Sequence, residues 1–415
     1  MKNVAIIGGG IIGLSTAYYL TKAGHSVTIF DQGNLKDNCS SGNAGMIVPS
    51  HIIPLAAPGM IAKGIRWMFN SSSPFYVKPR LSRDLISWGM KFYSHANHKH
   101  VEKSIPVLRD LSLLSKGLYQ QIAKEKDFQF GYEERGLLML YKSAETEREE
   151  KEATHLANSN GVEAHVLSAT EVQALEPEVE VNARGGVYFP GDAHLIPHKF
   201  IDDLIQHLGA SGVEMNTETK VTNFDVVADR IVSLETKEGH RKFDEFVIAT
   251  GAWSGLFCAQ LGISVPMQSG KGYSFTLDNI EKNIRIPTIL LEGRVAVTPM
   301  GSSLRFGGTM EINGTDRSVN MNRVKGIVDN IPKYYPTMKV QMPELSNVWN
   351  GLRPCSPDGL PYIGKSKTFG NLVIATGHSM MGLSLGPVTG FLVSELISDK
   401  KTSMDLTPFN PERFK

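Results

Sequence analysis

The chain has 415 residues, a length beyond what one hydrophobic core usually serves, so two domains are expected. Its 43 basic residues nearly balance 42 acidic ones, which removes the electrostatic footprint of a nucleic-acid binder and favours a small uncharged or zwitterionic ligand. Three cysteines, Cys39, Cys258 and Cys355, stand far apart in no metal-ligand spacing, which argues against a disulfide framework and a cysteine-built metal site and for a reducing cytosol.

Residues 4–7 form a short apolar run suited to a strand buried on both faces. Gly8 to Gly10 break it, and Leu14, Ala17 and Tyr18 then fall at helical spacing until Gly24 supplies a stop. "SVTIFD" reads as a second strand ending on Asp31. Within this strand–helix–strand unit Gly8, Gly10 and Gly13 match G-x-G-x-x-G: a tight turn, close approach of backbone to a pyrophosphate, and close packing of helix on strand. Free N–H groups at the helix start, on Ile11 and Ile12, and the positive helix end would face the phosphates. Asp31, 18 positions after Gly13 and followed by Gln32, is placed to accept hydrogen bonds from a ribose, and an acid there disfavours the 2′-phosphate of NADP. No second glycine fingerprint follows, so one dinucleotide is expected; these residues alone leave NAD and FAD both open.

The amino-terminal apolar run is cut by glycines and lacks a cleavage site, so it does not read as a signal peptide. The stretch at 52–69, "IIPLAAPGMIAKGIRWMF", is broken by Pro54, Pro58, Lys63 and Arg66 and falls short of the ~20 apolar residues of a spanning helix. It reads as a loop and short helix, with membrane-surface contact as the alternative. Residues 78–152 are helix-like and charged apart from a lone strand, "GLLMLY", and are expected to pack elsewhere than on the first sheet. Between 220 and 254, "KVTNFDVV", "RIVSLET" and "KFDEFVIATGAWS" read as short strands. "GYSFTL", "RVAVTP" and "LRFGGT" follow, and an antiparallel sheet with one exposed face is the expected form. Near the carboxyl end, "NLVIATGHSMMGLSLGPVTGFLVSELI" repeats the strand, glycine turn, helix pattern.

Taken together, "VAIIGGGIIGLSTAYYLTKAGHSVTIFD", "SSGNAGMIVPSHIIPLAAPGM", "FVIATGAWS", "WNGLRPCSPDGLPYIG" and "NLVIATGHSMMGLSLGPVTG" resemble the D-amino-acid oxidase superfamily of flavoproteins, which includes glycine oxidase and bacterial D-amino-acid dehydrogenases. "NAG", "AAPG", "IRWMF" and "KGYSFT" are most similar to the dehydrogenase branch. The resemblance covers nearly the whole chain and implies an α/β fold: a Rossmann-like GR2 FAD-binding domain, discontinuous over 1–50, 155–262 and 345–415, beside an α+β substrate domain with a mixed, largely antiparallel sheet over 51–154 and 263–344. FAD would lie at their junction, held non-covalently, because Cys355 does not align with the cysteine that carries flavin in sarcosine oxidases.

By the same resemblance Arg353 clamps the substrate carboxylate, which suits a planar guanidinium and its bidentate fork; an ion pair with Asp358 is the structural alternative. Ser40, Ser41, Asn43, Ala44, Gly45 and Met46 match the loop around the flavin end of FAD. Thr250 and Gly251 match the turn after a sheet strand, and Val221 the position whose backbone meets the adenine. Gly377, His378, Met380, Met381, Gly382, Leu383 and Ser384 match the segment closing over the flavin pyrimidine, with Ser384 a cap and Pro387 a first-turn residue of the last helix. Gly382, Gly386 and Gly390 would allow close approach along that helix. His51 and His378 are the histidines nearest these motifs and the candidates to polarise the site, with a hydrogen-bonded structural role as the alternative for each. Glycine oxidases carry a carboxylate-binding tyrosine where this chain has Ala296, and Tyr273 or Arg294 is the candidate to compensate.

The implied reaction is oxidation of a free amino acid at Cα to an imino acid: a D-amino acid such as D-proline or cis-4-hydroxy-D-proline, or else glycine or sarcosine. Electrons would pass to a quinone or respiratory carrier, or to dioxygen. No nucleic-acid partner and no metal is expected, and the location would be cytoplasmic, with peripheral attachment to the inner face of the membrane as the alternative.

Overall fold

A computed structural model describes residues 1–59, 75–77 and 82–414. The first strand, β1 (Asn3–Ile7), holds the centre of a six-stranded sheet and is flanked by β2 (Ser26–Phe30) and the strand Glu245–Ile248, both parallel to it. Val4, Ala5, Ile6 and Ile7 are buried, as a parallel strand covered on both faces requires. The strands Leu372–Thr376 and Glu214–Asn216 extend the sheet on either side, and Tyr362–Lys365 closes one edge antiparallel.

Helix α1 (Ile11–Lys22) and the last helix, Gly386–Ile397, pack against each other, and both contact this sheet. Two glycines of the last helix make the approach possible: a Cβ on Gly390 would sit 2.4 Å from the Ser15 backbone, and one on Gly386 2.9 Å from Ile11. These two glycines therefore serve helix packing. The long helix His98–Ile122, expected to pack away from the first sheet, instead buries Leu108, Leu111, Leu118 and Ile122 in the same core as α1 and the last helix. Its spacing of apolar residues supplies one buried stripe, and the last helix is apolar enough to receive it.

The second layer is a nine-stranded sheet. Its edge strand Trp349–Cys355 pairs with Gln268–Leu277, followed in order by Ser303–Ile312, Val295–Met300, Thr288–Leu290, Leu137–Tyr141, Gly185–Phe189 and His165–Ser168; Phe75–Val77 also pairs with Ser303–Ile312. Pairing is antiparallel except at two joints. No face of its central strands is exposed. One face packs Phe275, Phe306 and Val297 against the helices Met321–Val328 and Ile331–Tyr334. The other carries Ser274 and Gly307 toward an internal chamber.

The chain is shared between the sheets differently from the boundaries read in the sequence. His165–Ser168, Gly185–Phe189 and Trp349–Cys355 belong to the nine-stranded sheet, although 155–262 and 345–415 were assigned to the cofactor domain, and the helix His98–Ile122 sits with the first sheet rather than with 51–154. Strand pairing between distant segments leaves no local signal. Of the apolar stretch at 52–69, residues 60–69 lie outside the described residues, and the expected short helix and membrane contact lie there with them. Among the described residues no helix is long and apolar enough to cross a membrane.

Candidate active site

A chamber of about 730 Å³ runs between the two sheets. Its first end is built from backbone. Gly8 turns at φ 105°, where a Cβ would stand 2.4 Å from the Ala249 carbonyl oxygen, and a Cβ on Gly13 would stand 1.8 Å from the Gly8 carbonyl oxygen. Those two glycines are required by the protein itself. Gly10 is different: it lines the chamber, its φ of −74° suits any residue, and its nearest protein atom beyond its neighbours is Ser40 Oγ, 3.8 Å from an added Cβ. Its bareness keeps chamber space open.

At the start of α1, Ile11 donates its N–H to Ser40 Oγ at 3.3 Å, while the N–H groups of Ile12 and Gly13 carry no hydrogen bond among the described residues. No acidic side chain caps the helix. This end of the chamber is an anion site with a positive dipole behind it. Asp31 closes the β2 end, accepting the N–H groups of Gly9 at 2.6 Å and Gly33 at 2.7 Å, one on each oxygen, which leaves a lone pair on each for a ligand hydroxyl. Gln32 lines the wall beside it, as do Thr250 and Gly251 opposite. Val221 also lines the chamber, and its main-chain N–H and C=O are unbonded among the described residues.

Further along, Asn43, Ala44 and Met46 line the wall, and the loop carrying them is docked on the large sheet. Arg305 donates to the carbonyls of Ser41 at 3.0 Å and Asn43 at 2.8 Å, Ser274 donates to Gly42 at 2.7 Å, and the Trp349 indole donates to Asn38 at 3.2 Å. Trp349 also covers Gly42, where a Cβ would be 2.1 Å from the ring. Arg305, Ser274 and Trp349 carry no sequence signal of this role; each comes from a strand of the other sheet. His378, Met380, Met381, Gly382 and Leu383 line the facing wall. Tyr119 OH donates to the Leu383 carbonyl and Ser115 to that of Ser384, both at 2.6 Å. The N–H groups of Leu383 and Ser384 carry no hydrogen bond among the described residues.

Five residues expected at the cofactor are set back from the chamber. Gly13 packs α1 on its strand. Gly45 and Gly377 hold positive-φ turns in which a Cβ would strike the Leu195 carbonyl oxygen at 2.3 Å and the Tyr362 ring at 2.6 Å. Ser41 donates to the Asn38 carbonyl. Ser384 does not cap the last helix: Leu385 holds that position, and Ser384 Oγ accepts from Val48 N–H at 3.1 Å. Pro387 does occupy the first turn.

At the second end the decisive side chain is Arg353. It stands on the edge strand Trp349–Cys355 opposite Gly270, and its guanidinium lies over Gly272, where a Cβ would be 2.1 Å from Nη2. Nη1 donates to the Thr309 carbonyl at 2.6 Å. Among the described residues it has no carboxylate partner. Asp358 is paired with Arg413 at 2.7 Å instead. Desolvation lowers the Arg353 pKa and no carboxylate offsets it, so a half-buried cation lines the chamber with a fork to fill. Tyr273 turns away from this group: on the alternation of its strand the ring enters the core, and the hydroxyl donates to Glu311 at 2.8 Å. It does not replace the tyrosine missing at Ala296, which lines the chamber itself.

Residues 3–396 match the DAO family of FAD-dependent oxidoreductases. The chain belongs to this family. A D-amino acid dehydrogenase of Granulibacter bethesdensis is 29% identical over 409 residues, 97% of each chain. One of Vibrio atlanticus is 29% identical over 422 residues, 99% of this chain and 100% of that one. Among solved structures, glycine oxidase from Geobacillus kaustophilus has a TM-score of 0.79 at 24% identity, covering 100% of this chain and 99% of that one. L-proline dehydrogenase from P. horikoshii has a TM-score of 0.75 at 20% identity, covering 99% and 97%. These two share the fold.

As a DAO-family enzyme the protein uses FAD, and the first end of the chamber fits it: bare Gly10 and the unbonded N–H of Ile12 for the pyrophosphate, Asp31 for the adenosine ribose. The two candidate histidines differ. His378 is buried, with Nε2 2.9 Å from Thr389 Oγ1; because that hydroxyl donates to the Leu385 carbonyl, the histidine must donate, and Nδ1 is left as a buried acceptor without a protein partner. Burial holds its pKa down at about 3. His51, from the loop after Met46, has Nδ1 3.1 Å from Ser50 Oγ and a pKa that burial lowers to about 4. Both are neutral at pH 7. Cys39, Cys258 and Cys355 are free thiols, and Cys39 lines the chamber.

Proposed function

We propose that this protein oxidises a free amino acid to the corresponding imino acid, with Arg353 holding the substrate carboxylate. The observation that carries the reading is a half-buried guanidinium that lines one chamber with the cofactor end and has no carboxylate partner among the described residues. FAD supplies the two-electron acceptor for the Cα–H hydride. The chain's own share is orientation: a bidentate anchor fixes the α-carbon, and near-attack geometry is worth on the order of 7 kcal/mol or more.

Met139, Ile289, Leu291, Ala296 and Met310 line the same end and make the side-chain pocket apolar, which favours a small uncharged substrate. Full-length similarity to proteins named D-amino acid dehydrogenase supports the D-configuration and a carrier other than dioxygen as acceptor. D-proline and cis-4-hydroxy-D-proline are the first candidates. The test is an anaerobic panel of D- and L-amino acids, proline analogues, glycine and sarcosine, read as bleaching of the flavin absorbance. Bleaching by a D-amino acid is expected; no bleaching by any amino acid overturns the reading. Comparison of a dye acceptor with dioxygen then decides the acceptor, fast peroxide formation excluding a dehydrogenase.

A further inference from the structure

Behind His51 lies a chain of hydrogen bonds that fixes which ring nitrogen carries the proton. Asp192 sits in the turn between the strands Gly185–Phe189 and Ala193–His194, is 1% exposed, and accepts twice from one residue: Ser50 N–H at 3.0 Å on Oδ1 and Ser50 Oγ on Oδ2. The strand pair that sets Met46 opposite His194 brings the two segments together. A hydroxyl has one proton. With the Ser50 proton given to Asp192, Ser50 Oγ can only accept from His51, so Nδ1 carries the hydrogen and Nε2 keeps a lone pair. His51 lines the chamber, and no hydrogen bond to Nε2 is made among the described residues.

We propose that His51 Nε2 accepts a proton from the substrate ammonium group, and that Ser50 and Asp192 are positioning residues that hold it in the accepting tautomer. The inference rests on the amino-acid reading above. In the step one substrate N–H bond breaks and the Nε2–H bond forms; the electron pair stays on the substrate nitrogen, which is then neutral and able to support departure of the Cα hydride. Burial weakens His51 as a base, and it equally weakens the ammonium's hold on its proton, since the transfer exchanges one buried cation for another. A carboxylate behind the ring favours the cation on His51. Burial raises Asp192 to about 7, so it is ionised above that pH. Arg353, Arg294 and Glu150 line the same chamber as His51, and the charge reaching Asp192 from outside the chain of bonds is that of Lys116.

The choice of an acid is the informative feature. An asparagine at 192 would hold the loop with the same two bonds, but its amide would donate to Ser50, Ser50 would donate to Nδ1, and Nε2–H would face the chamber.

The test compares FAD-loaded wild type, His51→Asn, which keeps a donor to Ser50, and Asp192→Asn. At pH above 7 both variants should lose about 10²–10⁴-fold in kcat/KM. Binding of propionate, which has the carboxylate but no amine, should stay within about threefold as read by the shift in flavin absorbance, since loss of a contact that propionate never makes changes nothing. The His51→Asn deficit should shrink by about tenfold per pH unit as the substrate's own amine deprotonates. ¹⁵N shifts of the histidine rings, which need no turnover, should show a protonated Nδ1 in wild type and a protonated Nε2 in Asp192→Asn. Unchanged kcat/KM, a deficit independent of pH, or an equal loss of propionate binding overturns the proposal. If no amino acid bleaches the wild type, the amino-acid reading fails and the proton-accepting role with it, while the tautomer result stands separately.

Discussion

At the glycine end the chamber is walled by main-chain N–H groups and a bare Cα at Gly10; at the Arg353 end it is walled by side chains, and backbone is cleared away beneath them at Gly272. The first arrangement suits a large ligand whose phosphates, ribose and ring edges satisfy many weak donors. The second suits a small one that must be gripped at a single charged point. Glycine serves both ends in opposite senses. Gly10 leaves room for a ligand, and Gly272 leaves room for a protein side chain that reaches a ligand.

Substitutions can pull the two ends apart. Gly10→Val should have the largest effect: φ tolerates the change and an added Cβ meets only Ser40 Oγ, at 3.8 Å, so the protein should fold, yet purify without flavin and without activity, as read by flavin absorbance per protein beside circular dichroism. A variant that retained stoichiometric flavin would mean the cofactor does not approach here. Arg353→Lys should leave flavin content intact and raise KM by about 10²-fold, because a point charge replaces the fork. Gly272→Ala should displace the guanidinium by the far end of its flexible side chain and raise KM by about tenfold with flavin unchanged; an effect on flavin content instead would show that the two ends are not independent.

The smallest expected effect concerns stability. His378 is neutral when folded, with a pKa near 3 against 6.5 when unfolded, so its contribution is present above pH 6.5 and lost as pH falls toward 3. His378→Gln should therefore flatten the fall of stability below pH 6.5 by about 1.4 kcal/mol per pH unit, one proton's worth, measurable as Tm at pH 6.5 and 4.5. An unchanged slope would mean that the unfolded and folded states bind this proton alike.

The sequence by itself determined the cofactor end, because backbone recognition depends on local geometry: a strand, a glycine turn and a helix lie within 30 residues, and Gly8, Gly10, Gly13 and Asp31 are read from their spacing alone. Arg353 was legible through resemblance to a family motif, but its lack of a carboxylate was not, since Asp358 is its neighbour in sequence and Arg413 is the partner that Asp358 takes in space. The direction of the Tyr273 ring was not legible for a related reason. Strand alternation turns it into the core, and which face is the core is settled only when the strand Ser303–Ile312 brings Glu311 to its hydroxyl. Only the tertiary structure decided that strands near 165, 187 and 352 join the substrate sheet, that Arg305 and Trp349 dock the flavin loop, and that Asp192 stands behind Ser50 and His51. The strand pairings join residues 23 apart at His165 and 81 apart at Leu352, the docking contacts join segments 142 to 311 apart, and contacts at that range leave no periodicity in the chain.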